Sequence, residues 1–354
     1  MMSTASLHVN RIQKDQAVAQ LLQPLDRFLE DPEITELSIC RPYEIWTKSL
    51  KGWQVHNMPE LTATFLQTLI TAIIVYNGMA PKSINYVRLP GGQRGTIIQT
   101  PAVIDGALSF VIRKHSLTVK TLEELNEEGT FDGFVDVSFN KPSEKEANSF
   151  LSKQDFTRLE PFEIELLRLK RDKKILEFLE QCVLQKRNII IAGKTGSGKT
   201  TFVRSLIGKV PLKERIITIE DVHELFLPDH PNRVHMIYGN GTGRVSADEC
   251  LDACLRQSPD RIFLAELRGN EAWEYLNSLN TGHPGSITTT HANNALQTFE
   301  RCATLIKRSE VGRQLDIEMV KLVLYTTVDV ILFFNDRKLS EIFYDPIFSK
   351  SKIV

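Results

Sequence analysis

Apolar and polar residues change their period along the first third of the chain. Apolar residues recur at helical spacing over residues 16–29 and 59–76, and Asn77-Gly78 follows the second stretch as a stop signal. Six shorter runs have the apolar patterning of strands, and turn residues separate them: residues 34–39, 43–46, 53–56, 85–89, 95–100 and 107–113. The pattern predicts a mixed α+β domain over residues 1–121.

Residues 122–158 differ from what precedes them, because they are polar and charged and no apolar period holds for long. The sequence therefore predicts a linker, long enough either to let two domains vary in angle or to pass one domain to a neighbouring chain. The pattern does not choose between these arrangements. Helical spacing resumes near Pro161, and a second domain is expected over residues 159–354.

The second domain contains an apolar run, a glycine-rich turn and an amphipathic run that ends at Gly208. The turn reads GKTGSGKT and satisfies the eight-residue P-loop pattern from Gly193 to Thr200. Glycines let successive N–H groups converge on phosphate oxygens, the lysine supplies a cation for the outer phosphates, and the threonine hydroxyl is placed to bind Mg²⁺. With a strand before it and a helix after it, the motif predicts a nucleotide-phosphate site.

Three later apolar runs end in side chains suited to act on that nucleotide. They are followed by Glu220, by Glu266 and by the pair Thr290-His291. Because the carboxyl ends of parallel strands share one edge of a sheet, these groups are expected to meet at the P-loop. One glutamate would hold the hydration shell of Mg²⁺ and the other would orient or deprotonate the attacking water, while His291 would contact the outer phosphate.

Composition narrows the class of protein further. The 354 residues carry 43 basic and 44 acidic side chains, which gives a formal net charge of -1. A chain with this overall charge is not expected to coat nucleic acid, although a local basic patch could still bind it. The five cysteines are scattered without a CxxC pair, which favours a reducing compartment and argues against a zinc ribbon. No signal-peptide core stands near the N-terminus, and the apolar runs are too short to span a bilayer. We expect a soluble or peripheral membrane protein.

Four segments, in this order, resemble the Walker A, Asp box, Walker B and His box of the secretion ATPase superfamily: GKTGSGKT, IITIEDVHEL, PDRIFLAELRG and TGHPGSITTTHAN. With the preceding domain included, the chain resembles the hexameric traffic ATPase of bacterial type IV secretion and plasmid conjugation. The resemblance implies a RecA-like α/β P-loop domain, a smaller N-terminal α+β domain, and an ATP-hydrolysing motor that uses Mg²⁺. It also implies a ring of six on the cytoplasmic face of the inner membrane, working with the secretion machinery and its other traffic ATPases.

The resemblance also assigns roles to individual residues. The expected catalytic residues are Lys199, Glu220, Glu266, His291, Arg94 and Arg113, the two arginines being those that approach the outer phosphates from the N-terminal domain. The expected nucleotide-binding residues are Gly193, Lys194, Thr195, Gly196, Ser197, Gly198, Lys199, Thr200 and Thr201. The expected metal ligands are Thr200 and Glu266. Ala265 stands where the family commonly has glycine, and the identity of the principal base stays open.

Other functions share part of this signal. Motors of pilus retraction, pilus assembly and type II secretion carry the same four boxes, and the absence of any CxxC pair argues only against the type II branch. A nucleotide kinase or GTPase would share the P-loop, but Asn140-Lys141 precedes the loop and lacks the aspartate of a guanine-reading motif. A nucleotide-dependent scaffold is the alternative of another class, and two intact glutamates argue against it. No motif identifies the transported substrate, the partner surfaces, direct nucleic-acid binding or the need for nucleotide in ring formation.

Overall fold

The computed structural model describes residues 15–49, 51–114, 119–239, 245–269 and 271–353. The chain divides into two compact units, one ending at residue 117 and the other beginning at residue 118. One hydrophobic cluster lies in the first unit and two lie in the second. The segment up to residue 14, and His115, two positions after Arg113, lie outside the described residues.

The first unit is built on an antiparallel sheet. Its strands are β1 (Glu36–Ile39), β2 (Glu44–Ser49), β3 (Gly52–Asn57), β4 (Ile84–Arg88), β5 (Arg94–Ile98) and β6 (Ser109–Arg113). They pair in the order β3-β2-β1-β6-β5-β4. Each strand overlaps a run that predicts it. In β6, Phe110 and Ile112 are buried while their neighbours are more exposed, as expected for a sheet with one covered face.

Helices pack against that sheet through a shared core. They include α1 (Asp26–Leu29) and α2 (Ala63–Tyr76). The second helix begins at Thr62, whose hydroxyl accepts a hydrogen bond from the N–H of Phe65 at 3.1 Å. Its buried side chains are Leu66, Leu69, Ile70, Ile73 and Ile74, and each contributes about 1.5–3 kcal/mol. The helix stops before Asn77-Gly78, as the sequence predicts, because Gly78 has a φ of 66°.

The second unit contains a largely parallel sheet in two hydrogen-bonded parts, ordered β10-β9-β11 and β12-β8-β13-β14-β7. Its strands are β7 (Val135–Asp136), β8 (Ile189–Gly193), β9 (Ile216–Glu220), β10 (Arg233–Ile237), β11 (Arg261–Leu264), β12 (Ile287–Thr290), β13 (Val330–Asn335) and β14 (Lys338–Tyr344). The two parts meet beyond the end of β11, where the N–H of Leu267 donates to the carbonyl oxygen of Thr289 at 2.8 Å. The carboxyl ends of β8, β9, β11 and β12 therefore lie along one edge.

Helices cover both faces of this sheet. They are α3 (Leu122–Glu127), α4 (Glu144–Ser149), α5 (Pro161–Arg171), α6 (Ile175–Leu184), α7 (Lys199–Ile207), α8 (Ala247–Leu255), α9 (Glu271–Asn280), α10 (Ala295–Arg308), α11 (Ile317–Thr327) and α12 (Pro346–Ser351). Alternate residues of β8 enter different cores: Ile189 and Ile191 pack in one, and Ile190 and Ala192 in the other. A strand buried on both faces explains the unbroken apolar run that precedes the P-loop.

Residues 122–158 belong to the second unit, so the structure differs from the linker expected there. Their apolar residues are few but buried, because Leu122, Leu125, Phe131 and Ala147 join the core that contains α6 and α7. In addition, β7 pairs with β14, and capping boxes begin both α3 and α4. Four widely spaced apolar residues give no periodic signal, which is why the pattern indicates a linker.

Two further features lie outside the site. Cys250 and Cys254 are free cysteines buried in an apolar core, so they pack in α8 as small apolar side chains. None of the helices in the described ranges has both the length and the apolarity to cross a bilayer.

Candidate active site

The P-loop connects β8 to α7, and three glycines determine its backbone. Gly193, Gly196 and Gly198 have φ values of 152°, 79° and 93°, which residues with side chains rarely adopt. Gly193 also lacks room for a side chain, because a Cβ there would collide with the carbonyl oxygen of Phe334. Since α7 begins directly after Gly198, its first N–H groups face the loop. The result is a concave backbone of the kind that binds phosphate.

Lys199 lies inside this loop, with 8% of its surface exposed. Its ammonium donates hydrogen bonds to the carbonyl oxygens of Gly193 at 2.7 Å and Lys194 at 2.9 Å. Nδ1 of His291 lies 3.5 Å from the same ammonium. The Ser197 hydroxyl is buried and has no hydrogen-bond partner among the residues that the structure describes. A buried cation and an unpartnered hydroxyl in one loop fit an anionic ligand.

Thr200, on the first turn of α7, faces a carboxylate. Its hydroxyl donates to Oε2 of Glu224 at 3.3 Å. The backbone of Glu224 is held on both sides, because its carbonyl accepts from Nε of Arg204 at 2.5 Å and its N–H donates to the Glu220 carboxylate at 2.6 Å. A hydroxyl and a carboxylate supply the oxygen ligands that Mg²⁺ prefers.

Glu266 follows β11 and lies in a row of polar side chains that reaches the P-loop. Its carboxylate accepts hydrogen bonds from Arg268 at 2.7 Å and from Nε2 of His291 at 3.1 Å. Arg268 also pairs with Asp221 at 2.6 Å. Because Nδ1 of His291 lies 3.2 Å from the carbonyl oxygen of Gly193, the imidazole joins the loop to the carboxylate. The structure thus brings Glu266 and His291 to the P-loop.

The charge of Glu266 is fixed by its neighbours. Burial raises the pKa of Glu266, but hydrogen bonds from His291 and Arg268 outweigh burial and lower the pKa to about 2. The carboxylate is therefore ionised at neutral pH, and 19% of its side chain remains exposed. A group with so low a pKa accepts a proton poorly, so it is better suited to orient a water molecule than to deprotonate one.

Glu220 ends β9 in a different environment, fully buried with 0% exposure. Oε2 accepts from the N–H groups of Glu224 at 2.6 Å and Leu225 at 2.7 Å. Oε1 lies 2.7 Å from the Thr218 hydroxyl and 3.2 Å from Nδ1 of His223. These four contacts are all made with residues 218–225. Through Glu224, the same loop faces Thr200 of the P-loop.

Arg94 and Arg113 lie in the first unit, on β5 and β6, and the sheet register places them directly opposite each other. Arg88 on β4 is opposite Arg94 in the same way, and Glu36 is opposite Arg113 on the other side. Residues opposite each other in an antiparallel pair share a face of the sheet. Three arginines and one glutamate therefore lie in one row across this face of the sheet.

The sequence motifs locate the P-loop and the strand ends but assign no role to Glu224 or to the pair Asp221 and Arg268. The signal for the two acidic residues is their spacing, because EDVHEL carries three carboxylates within five positions after a buried strand. Arg268 is harder to assign, since sequence neighbours such as Glu271 compete as partners. Its observed partners Asp221 and Glu266 are contributed by two different strand ends.

A phosphate-binding loop at the edge of a parallel sheet, with an ionised carboxylate beside it, defines a P-loop nucleotide hydrolase. Residues 156–332 match the family described as type II/IV secretion system protein. The chain is 38% identical over 340 residues to the type IV secretion system protein VirB11 of Brucella suis biovar 1, covering 92% of this chain and 89% of that protein. It is 34% identical over 321 residues to the VirB11 protein of Agrobacterium tumefaciens, covering 89% of both.

Solved structures agree with these relatives. The VirB11 ATPase of the Brucella suis type IV secretion system, in complex with sulphate, is 38% identical, and the match covers 97% of this chain and 99% of that chain with a TM-score of 0.53. The pilus retraction motor PilT with bound ADP shares the fold at 20% identity, with a TM-score of 0.55 over 88% of this chain and 77% of that one. The chain belongs to the VirB11 family of type IV secretion ATPases, which confirms the resemblance, the fold class and the ATPase activity expected from its sequence.

Proposed function

We propose that this ATPase energises substrate translocation or pilus assembly in a type IV secretion system, using the P-loop edge of the second unit as its hydrolytic site. One observation carries the proposal: contacts run without a break from Lys199 through His291 to Glu266. A scaffold that only binds nucleotide needs the loop, but it does not need an ionised carboxylate held beside it.

ATP binds through the N–H groups of the P-loop and the ammonium of Lys199. The ammonium exchanges the carbonyl oxygens of Gly193 and Lys194 for phosphate oxygens, which are charged and therefore stronger acceptors. The Ser197 hydroxyl gains a partner at the same time. His291, beside the ammonium, then contacts the outermost phosphate and links its presence or absence to Glu266.

The two glutamates divide the remaining work. Glu266 orients the attacking water, because it is ionised and partly exposed. Glu220 is a positioning residue that fixes the loop carrying Glu224. Thr200 would hold Mg²⁺ with Glu224 beside it, a place that the family resemblance gives to Glu266. When bound, Mg²⁺ neutralises negative charge on the phosphate oxygens.

The substitution Lys199→Ala tests the site. We expect ATP turnover to fall by at least about 10²-fold, since one preorganised charge at the outer phosphates is lost. Phosphate release measures turnover, and circular dichroism checks folding. Lys213→Ala is the matched control, because that lysine is exposed in the same unit. Wild-type turnover in Lys199→Ala would remove the P-loop from the reaction.

The family resemblance supports a ring of six subunits, peripheral on the cytoplasmic face of the bacterial inner membrane, that works with other secretion ATPases. Light scattering of the full chain, with and without ATP and Mg²⁺, tests the ring directly. A sixfold mass in either condition supports the motor. A persistent monomer at cellular concentrations would favour the scaffold and contradict the ring.

Arg113 and Arg94 are proposed to act on the outer phosphates from the first unit, and their opposed positions on β5 and β6 support this. Arg113→Ala should lower kcat by about 10–100-fold while nucleotide affinity changes less, because the charge matters most as the phosphates separate. Fluorescent nucleotide titration and steady-state kinetics separate the two effects. Arg41→Ala, an exposed arginine of the first unit, is the control. Equal kcat at saturating ATP would exclude Arg113 from the mechanism.

A further inference from the structure

A second group of potential metal ligands lies at the end of β9, separate from the hydroxyl of Thr200. It consists of Glu220, His223 and His235, whose ligand atoms all lie within 4.8 Å of one another. Oε1 of Glu220 is 3.2 Å from Nδ1 of His223 and 3.5 Å from Nδ1 of His235. Two ligands of a tetrahedral ion with bonds of about 2.0–2.1 Å stand about 3.3 Å apart, so both observed separations fit one ion.

The surroundings orient the carboxylate as metal sites require. Oε2 of Glu220 is fixed by the N–H groups of Glu224 and Leu225, which leaves Oε1 directed at the histidines. The Thr218 hydroxyl lies 2.7 Å from Oε1 and 2.8 Å from Nδ1 of His235. A hydroxyl and two imidazole nitrogens thus surround a single carboxylate oxygen. A cation bound between these atoms would be coordinated by the carboxylate oxygen and the imidazole nitrogens.

The site has one closed and one open side. Glu220 is fully buried, whereas 37% of the His223 side chain and 22% of the His235 side chain are exposed. An ion would therefore enter from solvent past the imidazoles and meet the buried negative charge behind them. Water is available for a fourth ligand on the same side.

The donor set decides which ions fit. Two imidazole nitrogens and one carboxylate oxygen are ligands for Zn²⁺ and Co²⁺, whereas Mg²⁺ prefers oxygen ligands in an octahedral arrangement. We propose that Glu220, His223 and His235 form a binding site for a divalent transition-metal ion of the Zn²⁺ class. Because Glu220 also holds the backbone of Glu224, an ion here stabilises the loop that faces Thr200.

Cobalt is the probe that tests the site, since tetrahedral Co²⁺ absorbs visible light strongly. The full chain is stripped with a chelator and titrated with CoCl₂ in the presence of excess Mg²⁺ and without nucleotide. We expect a visible band that saturates at one ion per chain and disappears when ZnCl₂ is added. Absence of the band, or a band that Mg²⁺ abolishes, would overturn the proposed site.

Substitutions locate the bound ion. His223→Gln and His235→Gln should each weaken Co²⁺ binding by about 100-fold or more, because loss of a ligand costs at least as much as loss of its support. His283→Gln is the matched control, since Nδ1 of that imidazole lies 3.2 Å from the carbonyl oxygen of Pro259, outside the cluster of Glu220, His223 and His235, and this variant should bind Co²⁺ as the wild type does. Cys40 is a free, exposed cysteine and a competing ligand. Unchanged binding in both His223→Gln and His235→Gln, or a thiolate charge-transfer band, would place the ion elsewhere.

Thermal unfolding gives a second readout that needs no activity. ZnCl₂ should raise the melting temperature of the wild type and of His283→Gln but not that of a His223→Gln, His235→Gln double variant. Lys199→Ala should bind Co²⁺ normally, which separates failure of the metal site from failure of the proposed ATPase site. An equal rise in the double variant would contradict the assignment.

Discussion

Two glutamates at the ends of neighbouring parallel strands show how one sequence signal leads to different environments. Glu220, the last residue of β9, is fully buried, and both its oxygens are occupied by nearby donors. Glu266, beyond β11, keeps 19% of its side chain exposed and is held by Arg268 and His291. What differs is the segment that follows each strand: the loop after β9 returns the N–H groups of Glu224 and Leu225 to the carboxylate, whereas Glu266 is held by side chains.

The pKa values of Glu220 and Glu266 do not account for their different roles. Burial raises the pKa of Glu220, but hydrogen bonds from His223, His235 and the N–H of Leu225 lower it far below its usual range. For Glu266 the same opposition leaves a pKa of about 2. Both are ionised at neutral pH. Exposure and contact with the P-loop therefore distinguish the carboxylate that acts on water from the one that supports a loop.

The largest expected effect is on turnover at Glu266. Glu266→Gln preserves size and one acceptor oxygen but removes the charge that orients water, so kcat should fall by about 10²–10⁴-fold. Steady-state phosphate release with saturating ATP and Mg²⁺ measures it. Glu274→Gln is the control, because Glu274 is an exposed residue of the nearby helix α9. A kcat within threefold of the wild type would contradict the role given to Glu266.

Substitution of Glu220 should mainly lower the free energy of unfolding. Glu220→Ala leaves the N–H groups of Glu224 and Leu225 without their acceptor in a buried site, so the free energy of unfolding should fall by about 3 kcal/mol. Glu220→Gln keeps one carbonyl oxygen for these two groups and should recover most of that loss. Urea denaturation of both variants measures the difference.

Catalytic activity of the Glu220 variants tests the same comparison. Since Glu220 acts by holding a loop, Glu220→Gln should keep kcat within about tenfold of the wild type. If Glu220→Gln were as stable as the wild type but as inactive as Glu266→Gln, the chemical role would belong to Glu220 as well, and the distinction between the two sites would fail.

Much of the fold follows from the sequence because its signals are local. The strands of the first unit, the end of α2 before Asn77-Gly78, and the strand, glycine loop and helix around Lys199 all rest on neighbouring residues. The segment 122–158 does not, since its isolated buried residues, such as Leu125 and Phe131, become meaningful only against α6 and α7. Its place in the second unit depends on tertiary packing.

The candidate active site likewise has contacts that the sequence predicts and contacts that it does not. That strand ends would bring Glu266 and His291 to the P-loop could be argued from topology alone. That Glu224 would face Thr200, or that Glu220 would turn inward to its own loop, depends on how residues 221–225 fold back. No periodicity describes a short irregular loop, so these contacts required the structure.

The smallest effect is the acid dependence of stability at Glu266. Its folded pKa of about 2 lies below the ordinary value of 4.5, so ionised Glu266 stabilises the fold above about pH 4.5, and this contribution is lost as the pH falls toward 2. Because 44% of the Arg268 side chain and 42% of the His291 side chain are exposed, solvent screening reduces the contribution to about 1 kcal/mol.

Urea denaturation at pH 7 and at pH 3 measures this effect as the stability gap between the wild type and Glu266→Gln. The gap should be about 1 kcal/mol at pH 7 and clearly smaller at pH 3, because protonation removes from the wild type what the substitution removes from the variant. Glu274→Gln should show no such closing of the gap. A gap that stays constant with pH would mean that Glu266 stabilises the fold by packing alone, and the contrast with Glu220 would then rest on exposure and not on charge.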